Sequence, residues 1–145
     1  MIEAGRGRRF RALKSVAAAL ALAALAALGP AARAEPSVSE VRISRHEGLT
    51  RVSIALSEAV QFRAYVLGAP YRVIVDLPPV DWQLGAEARL GSAPITAWRY
   101  GSIGKDVRRI VFDLSRPVRI QKTFALPPKD KAQEWRLVID LERIS

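Results

Sequence analysis

No cysteine occurs among the 145 residues, so a disulfide framework and a thiolate metal site are both excluded, and stability must come from burial. Histidine is nearly as scarce, with His46 alone. A hydrolytic zinc centre takes about three His, Cys or carboxylate ligands plus water. His46 falls in the polar stretch Arg45-His46-Glu47-Gly48-Leu49, which reads as a hairpin turn, and a solvated turn residue is the plainer role for it. No Gly-x-Ser-x-Gly elbow is present. Asp76, Asp113 and Asp140 all fall inside predicted strands rather than on loops, so a Ser-His-Asp site has no support. Spacing alone leaves a pair of acids for glycoside cleavage open, but each Asp recurs with an arginine nearby on the same strand face (Arg72, Arg109, Arg136), and cross-strand charge pairs account for that better. The chain as given therefore reads as a non-enzyme with no catalytic residue, metal ligand or cofactor.

Long apolar runs are also lacking. The longest, Val16 to Leu28, has 13 residues, and after Val16 it is Ala and Leu throughout. About 20 are needed to span a bilayer. Arg6, Arg8, Arg9, Arg11 and Lys14 precede this run and Ala32-Arg33-Ala34 follows it, which is the order of a basic n-region, an h-region and a small-x-small cleavage site. Residues 1–34 are thus expected to be a cleaved signal peptide, leaving no stable membrane anchor and placing the mature chain in the periplasm. Arg8-Arg9-Phe10 resembles a twin-arginine signal, although Gly7 stands where Ser or Thr is usual; general secretion and twin-arginine export both fit.

The formal net charge is +9. Six of the Lys and Arg residues and one acid lie in the signal, so from Glu35 onward the charge is +4. A mildly basic exported surface suits an anionic polymer, and nucleic acid is not expected as a partner. The remaining 111 residues, 35–145, suffice for one domain with a core.

What the sequence does contain is a repeat. Tyr71-Arg72-Val73-Ile74-Val75-Asp76-Leu77 returns as Trp135-Arg136-Leu137-Val138-Ile139-Asp140-Leu141, 64 residues later. Leu56-Ser57-Glu58-Ala59-Val60 returns as Leu114-Ser115-Arg116-Pro117-Val118 at an offset of 58, and Val38–Ile43 more weakly as Ile95–Tyr100 at 57. Such self-similarity sets the architecture before any single residue does. The copies run over about 38–77 and 95–141.

Period-two alternation fills both copies and predicts strands at 38–44, 50–56, 60–66, 71–77, 95–100, 109–114, 118–124 and 135–141. Gly68-Ala69-Pro70, Pro78-Pro79, the loop 101–106 and Pro127-Pro128-Lys129-Asp130-Lys131 punctuate them. Residues 80–94 join the copies, with Trp82 and Leu84 plugging an end of the core and a short helix over 86–90. The fold class is all-β: a β-sandwich of two similar four-stranded sheets, each contributed largely by one copy. Phe62, Val73, Val75, Phe112, Leu137 and Ile139 are expected in the shared core.

The motifs in order also resemble a known family. Thr50-Arg51-Val52-x-Ile54-x-Leu56, then Tyr71 to Leu77, then Arg99-Tyr100-Gly101, then Arg109-Ile110-Val111-Phe112-Asp113-Leu114 are similar to the AMIN domain, over residues 38–141. Asp81-Trp82 after Pro78-Pro79, and Trp98-Arg99-Tyr100-Gly101, look most like the amidase-associated form. The resemblance implies a non-catalytic peptidoglycan-binding module of the cell envelope, directing an N-acetylmuramoyl-L-alanine amidase, or acting beside one, to the septal wall. Its implied partners are peptidoglycan and an amidase catalytic domain or divisome and envelope proteins. The same family occurs in type IV pilus secretins, so an envelope assembly module binding protein partners is the alternative, and a plain structural sandwich is a third. Ser145 lies four residues past the last predicted strand, so either the protein stands alone or its reading frame is cut before a zinc-dependent amidase domain.

A sheet face with guanidinium groups for carboxylates and rings for sugars would suit peptidoglycan. The outward parity selects Arg42, Arg51, Arg63, Tyr65, Arg72, Arg99, Arg109 and Arg136 as candidate ligand contacts. Pairing with the aspartates and keeping two faces soluble is the competing role for these residues. Two of Trp82, Trp98 and Trp135 have inward parity, which favours the core over sugar stacking.

Overall fold

The chain divides into two units, Met1–Ala34 and Glu35–Ser145. The computed structural model describes residues 34–85, 91–130 and 134–144. The expected signal, apart from Ala34, and the expected helix at 86–90 lie outside the described residues.

Among the described residues the alternating segments form nine strands: β1 (Ser37–His46), β2 (Leu49–Leu56), β3 (Arg63–Leu67), β4 (Arg72–Leu77), β5 (Asp81–Trp82), β6 (Ile95–Ile103), β7 (Val107–Leu114), β8 (Val118–Leu126) and β9 (Trp135–Arg143). They build two sheets, one in the order β5-β1-β2-β9-β8 and the other β3-β4-β7-β6. Every pairing is antiparallel except β1 with β5. The expected all-β sandwich is therefore present, with four repeat-derived strands in each sheet and a two-residue fifth strand added to one.

The allocation of strands differs from the expectation. Neither sheet belongs to one copy. The first copy sends β1-β2 to the five-stranded sheet and β3-β4 to the other, and the second sends β8-β9 and β6-β7 likewise. The central pairings, β2 with β9 and β4 with β7, both join the two copies. A lone two-stranded hairpin is marginal in water; hairpin beside hairpin gives a four-stranded face wide enough to bury. The repeat relation takes β1-β2-β9-β8 onto β6-β7-β4-β3, so it exchanges the sheets.

Val60 to Phe62 is not strand. Residues 57–62 carry the chain from one sheet to the other, while Val60 and Phe62 still pack against the core. The interior is lined by Val52, Ile54, Leu56, Leu137, Ile139 and Leu141 from one sheet and Val73, Val75, Ile110 and Phe112 from the other. Burial of each such side chain contributes about 1.5–3 kcal/mol. Phe62 is half-buried, and the other five residues expected in the core are fully buried. Trp82, Trp98 and Trp135 are half-buried against it, with Trp82 at 4.5 Å from the Tyr100 ring.

Turns follow local chemistry. His46 pairs with Leu49 across a two-residue loop in which Glu47 (φ 50) and Gly48 (φ 80) are both left-handed, as a type I′ hairpin requires. The β6–β7 hairpin is longer than expected. Ile103 pairs with Val107, and the turn closes at Gly104 (φ 65). β5 ties the start of the joint down: Asp81 N donates to Pro36 O and Gln83 N to Val38 O, each at 2.8 Å.

Candidate functional site

The inward residues are committed to the core, so ligand chemistry falls to the two outer faces. The eight candidate contacts are split between these faces. Arg42, Arg51 and Arg136 lie on the five-stranded sheet; Arg63, Tyr65, Arg72, Arg99 and Arg109 lie on the four-stranded one. They cannot form one site.

At the centre of each face sits an Arg–Asp pair placed by strand register. Arg51 on β2 stands opposite Asp140 on β9, and its Nε and Nη2 donate to Oδ1 and Oδ2 at 2.8 and 2.9 Å. Arg109 on β7 stands opposite Asp76 on β4 and donates in the same way at 2.8 and 3.2 Å. The repeat relates one pair to the other, and each pair joins the first copy to the second. The cross-strand pairing expected for these aspartates is present. Asp113 pairs with Arg99 at 2.5 Å.

The two pairs differ in cover. Asp140 is inaccessible to solvent, although it points away from the core. Phe124 lies beside it, with the Arg51 and Lys122 cations 5.4 and 5.3 Å from its ring centre. The hydrogen bonds from Arg51 hold the Asp140 carboxyl below the usual range; burial opposes this, and the Arg51 and Lys122 charges reinforce it. Asp76 keeps 17% of its side chain exposed. Its carboxyl is lowered first by the Arg109 hydrogen bonds, against its own burial, then by the Arg109 charge, the Tyr65 hydroxyl and Arg63. Tyr65 Oη donates to Asp76 and accepts from Arg109 Nη2, both at 3.2 Å, while the Arg63 guanidinium covers the Tyr65 ring at 4.9 Å. Arg63-x-Tyr65 on edge strand β3 thus corresponds to Lys122-x-Phe124 on edge strand β8.

Arg51 and Arg109 are therefore held on carboxylates. Arg63 and Arg72 form no ion pair with the described residues, and Arg42 and Arg99 stay 60% exposed while pairing with Glu40 and Asp113. Beside Arg99 and Arg109, over Val111 and the bare backbone of Gly101, lies a depression of about 180 Å³. A larger groove of about 710 Å³ opens at the other sheet's outer face, beside Glu40 and Arg136. No group of three or more His, Cys, Asp or Glu among the described residues is placed to hold a metal, and no helix long and apolar enough to cross a membrane occurs among them.

Residues 40–141 match the family model described as "AMIN domain". The chain belongs to the AMIN-domain family. Within that family it is similar to the "N-acetylmuramoyl-L-alanine amidase AmiC" of Escherichia coli O6:H1, at 31% identity over 109 residues. The alignment covers 72% of this chain and 26% of the relative, so the chain spans about a quarter of that amidase's length.

Outward parity found the arginines of this AMIN domain and the aspartates that pair with them, but it did not single out Glu40. Glu40, at 2.8 Å from Arg42 and 4.0 Å from Arg136, follows a bulge between Val38 and Glu40 that breaks the alternation. Lys122 and Phe124 escaped because β8 carries a bulge between Ile120 and Lys122. No sequence signal marks either bulge.

Proposed function

We propose that this AMIN domain binds peptidoglycan in the periplasm and holds an N-acetylmuramoyl-L-alanine amidase, on its own chain or beside it, at the septal cell wall. The observation that carries this function is the 31% identity to part of an amidase. A wall-binding module confers placement on a hydrolase without contributing to its chemistry.

The four-stranded sheet's outer face suits the task. Four arginines (Arg63, Arg72, Arg99, Arg109) share it with two aspartates (Asp76, Asp113), which leaves a positive surplus for the carboxylates of the wall. Guanidinium forks take carboxylates in two parallel hydrogen bonds. Arg63, Tyr65, Arg72 and Arg99 are the contacts proposed on this face, with Arg42 and Arg136 on the other. Arg51 and Arg109 hold the sheets in register beneath them.

Co-sedimentation of the purified protein with isolated sacculi tests the proposal. Pelleting is expected at low salt and should weaken as salt rises, because exposed charges are screened within about 8–10 Å at 0.10–0.15 M. Arg72→Ala with Arg99→Ala should weaken pelleting while leaving the far-UV spectrum unchanged. Absence of pelleting at every salt concentration would eliminate wall binding. A fluorescent fusion spread evenly around the envelope would eliminate septal placement.

A further inference from the structure

The two outer faces are repeats of one another, yet among the described residues one carries a groove of 710 Å³ and the other a depression of 180 Å³. The difference originates in the connections. Strands β3 and β4 are joined by residues 68–71, whereas β8 and β9 are joined by residues 127–134. The longer connection supplies Pro127, Lys129 and Glu134 as a wall of the groove. Long connections on a rigid sandwich are where binding sites are usually built.

The chemistry of the groove is mixed in sign. Arg136 and Lys129 provide positive charge, Glu40 and Glu134 negative charge, and Ala55, Leu126 and Pro127 apolar surface. Glu134 accepts a hydrogen bond from the Ser39 hydroxyl, which fixes one carboxylate at the rim. Arg136 is held loosely: Nη1 donates to Ser53 Oγ at 3.4 Å and Nη2 stands 4.0 Å from Glu40. Arg51 and Arg109, by contrast, lie within 2.8–3.2 Å of both oxygens of their aspartates. The Arg136 fork can therefore take an incoming carboxylate without breaking a close ion pair. At the position of Glu40 the other face has Ala97, so it has no counterpart to this acid.

We propose that this groove binds a short peptide presenting an ammonium and a carboxylate on one residue, as the diamino acid of a peptidoglycan stem peptide does. The ligand carboxylate lies on the Arg136 fork and the ammonium between Glu40 and Glu134. The aliphatic chain of the diamino acid rests on Leu126 (45% exposed) and Pro127. This assignment rests on the wall-binding function proposed above and deepens it: the five-stranded face reads peptide, not sugar.

The test is calorimetric titration of the purified full chain with the tripeptide L-alanyl-γ-D-glutamyl-meso-diaminopimelate. Its N-acetylated, carboxyl-amidated form and triacetylchitotriose serve as controls. Saturable binding of the charged tripeptide is expected, with affinity lowered about tenfold or more by Glu40→Gln and by Arg136→Gln, since a charged hydrogen bond is worth about 1.5–3 kcal/mol. Both side chains are 39% exposed, so neither variant should fail to fold; Glu134→Gln, on an exposed residue, is an independent third. Absence of saturable binding, equal affinity for the neutralised peptide, or unchanged affinity in all three variants would overturn the assignment. Loss of sacculus pelleting with tripeptide binding intact would instead count against wall targeting and leave the groove standing. Pelleting without tripeptide binding would do the reverse.

Discussion

Asp140 is the residue on which the five-stranded face depends. A carboxylate with no solvent access costs several kcal/mol unless paired, and Arg51 supplies both hydrogen bonds. Arg51→Ala removes both hydrogen bonds and leaves that charge only the Lys122 ammonium at 3.9 Å, and should cost about 3–5 kcal/mol. Arg109→Ala leaves Asp76 partly in water with the Tyr65 hydroxyl still bonded, and should cost less, about 1–3 kcal/mol. Urea unfolding midpoints of the two variants check the order; equal losses would mean that cover does not matter. The same pairs set the response to acid. Both carboxyls sit below their ordinary range when folded and return to about 3.9 when unfolded. Their contribution is complete above the unfolded value and disappears as pH falls through the native ones. Stability should therefore hold level from about pH 7 to 5 and decline below about 4. Asp140→Asn should start lower and decline less steeply. Parity in the sequence put Arg and Asp on common faces. It did not say that Arg51 would meet Asp140 of the other copy, because register between distant strands leaves no local mark.

Among the elements, β5 was the one hidden from the sequence. Two residues after Pro78-Pro79 are too few to show a period, and their pairing with β1 is parallel and remote. Its function is to seat Trp82 on the core beside Tyr100. Trp82 Nε1 is buried without a hydrogen-bond partner among the described residues, which makes the indole a costly way to fill that space. Trp82→Phe should thus change stability by less than about 1 kcal/mol, because the lost ring volume is offset by removal of an unpaired donor. Trp82→Ala should cost about 3 kcal/mol. Thermal melts of the two variants separate these outcomes, and a large loss with Phe would show that the indole nitrogen is satisfied after all. The repeat offsets were legible but incomplete. The growth from 58 to 64 reads in the sequence as one longer turn, whereas one residue enters at the β8 bulge and the rest in the connection that walls the groove.

At the scale of the whole molecule, sequence and structure differ over what a repeat copy is. Alternation and self-similarity correctly indicate two similar sheets, and a copy per sheet is the simplest way to arrange them. The sheets instead each take a hairpin from both copies. The reason is energetic: both bidentate pairs and both central ladders join copy to copy, so the strongest contacts in each sheet exist only when the copies meet. Sequence patterning shows which face of a strand is apolar, and it is silent on which strand lies beside it. This interleaving has a consequence that a copy-per-sheet sandwich would not share. Residues 35–85 alone would expose the edges of β2 and β4, with two-stranded hairpins that are marginal by themselves; residues 91–145 would expose β7 and β9 in the same way. Neither fragment should show a cooperative thermal transition by circular dichroism. Mixed in equal amounts they should recover one, because each provides the inner ladder that the other lacks. Cooperative melting of either fragment alone would contradict the interleaved sheets, since only strands that already form a complete sheet within one copy could produce it.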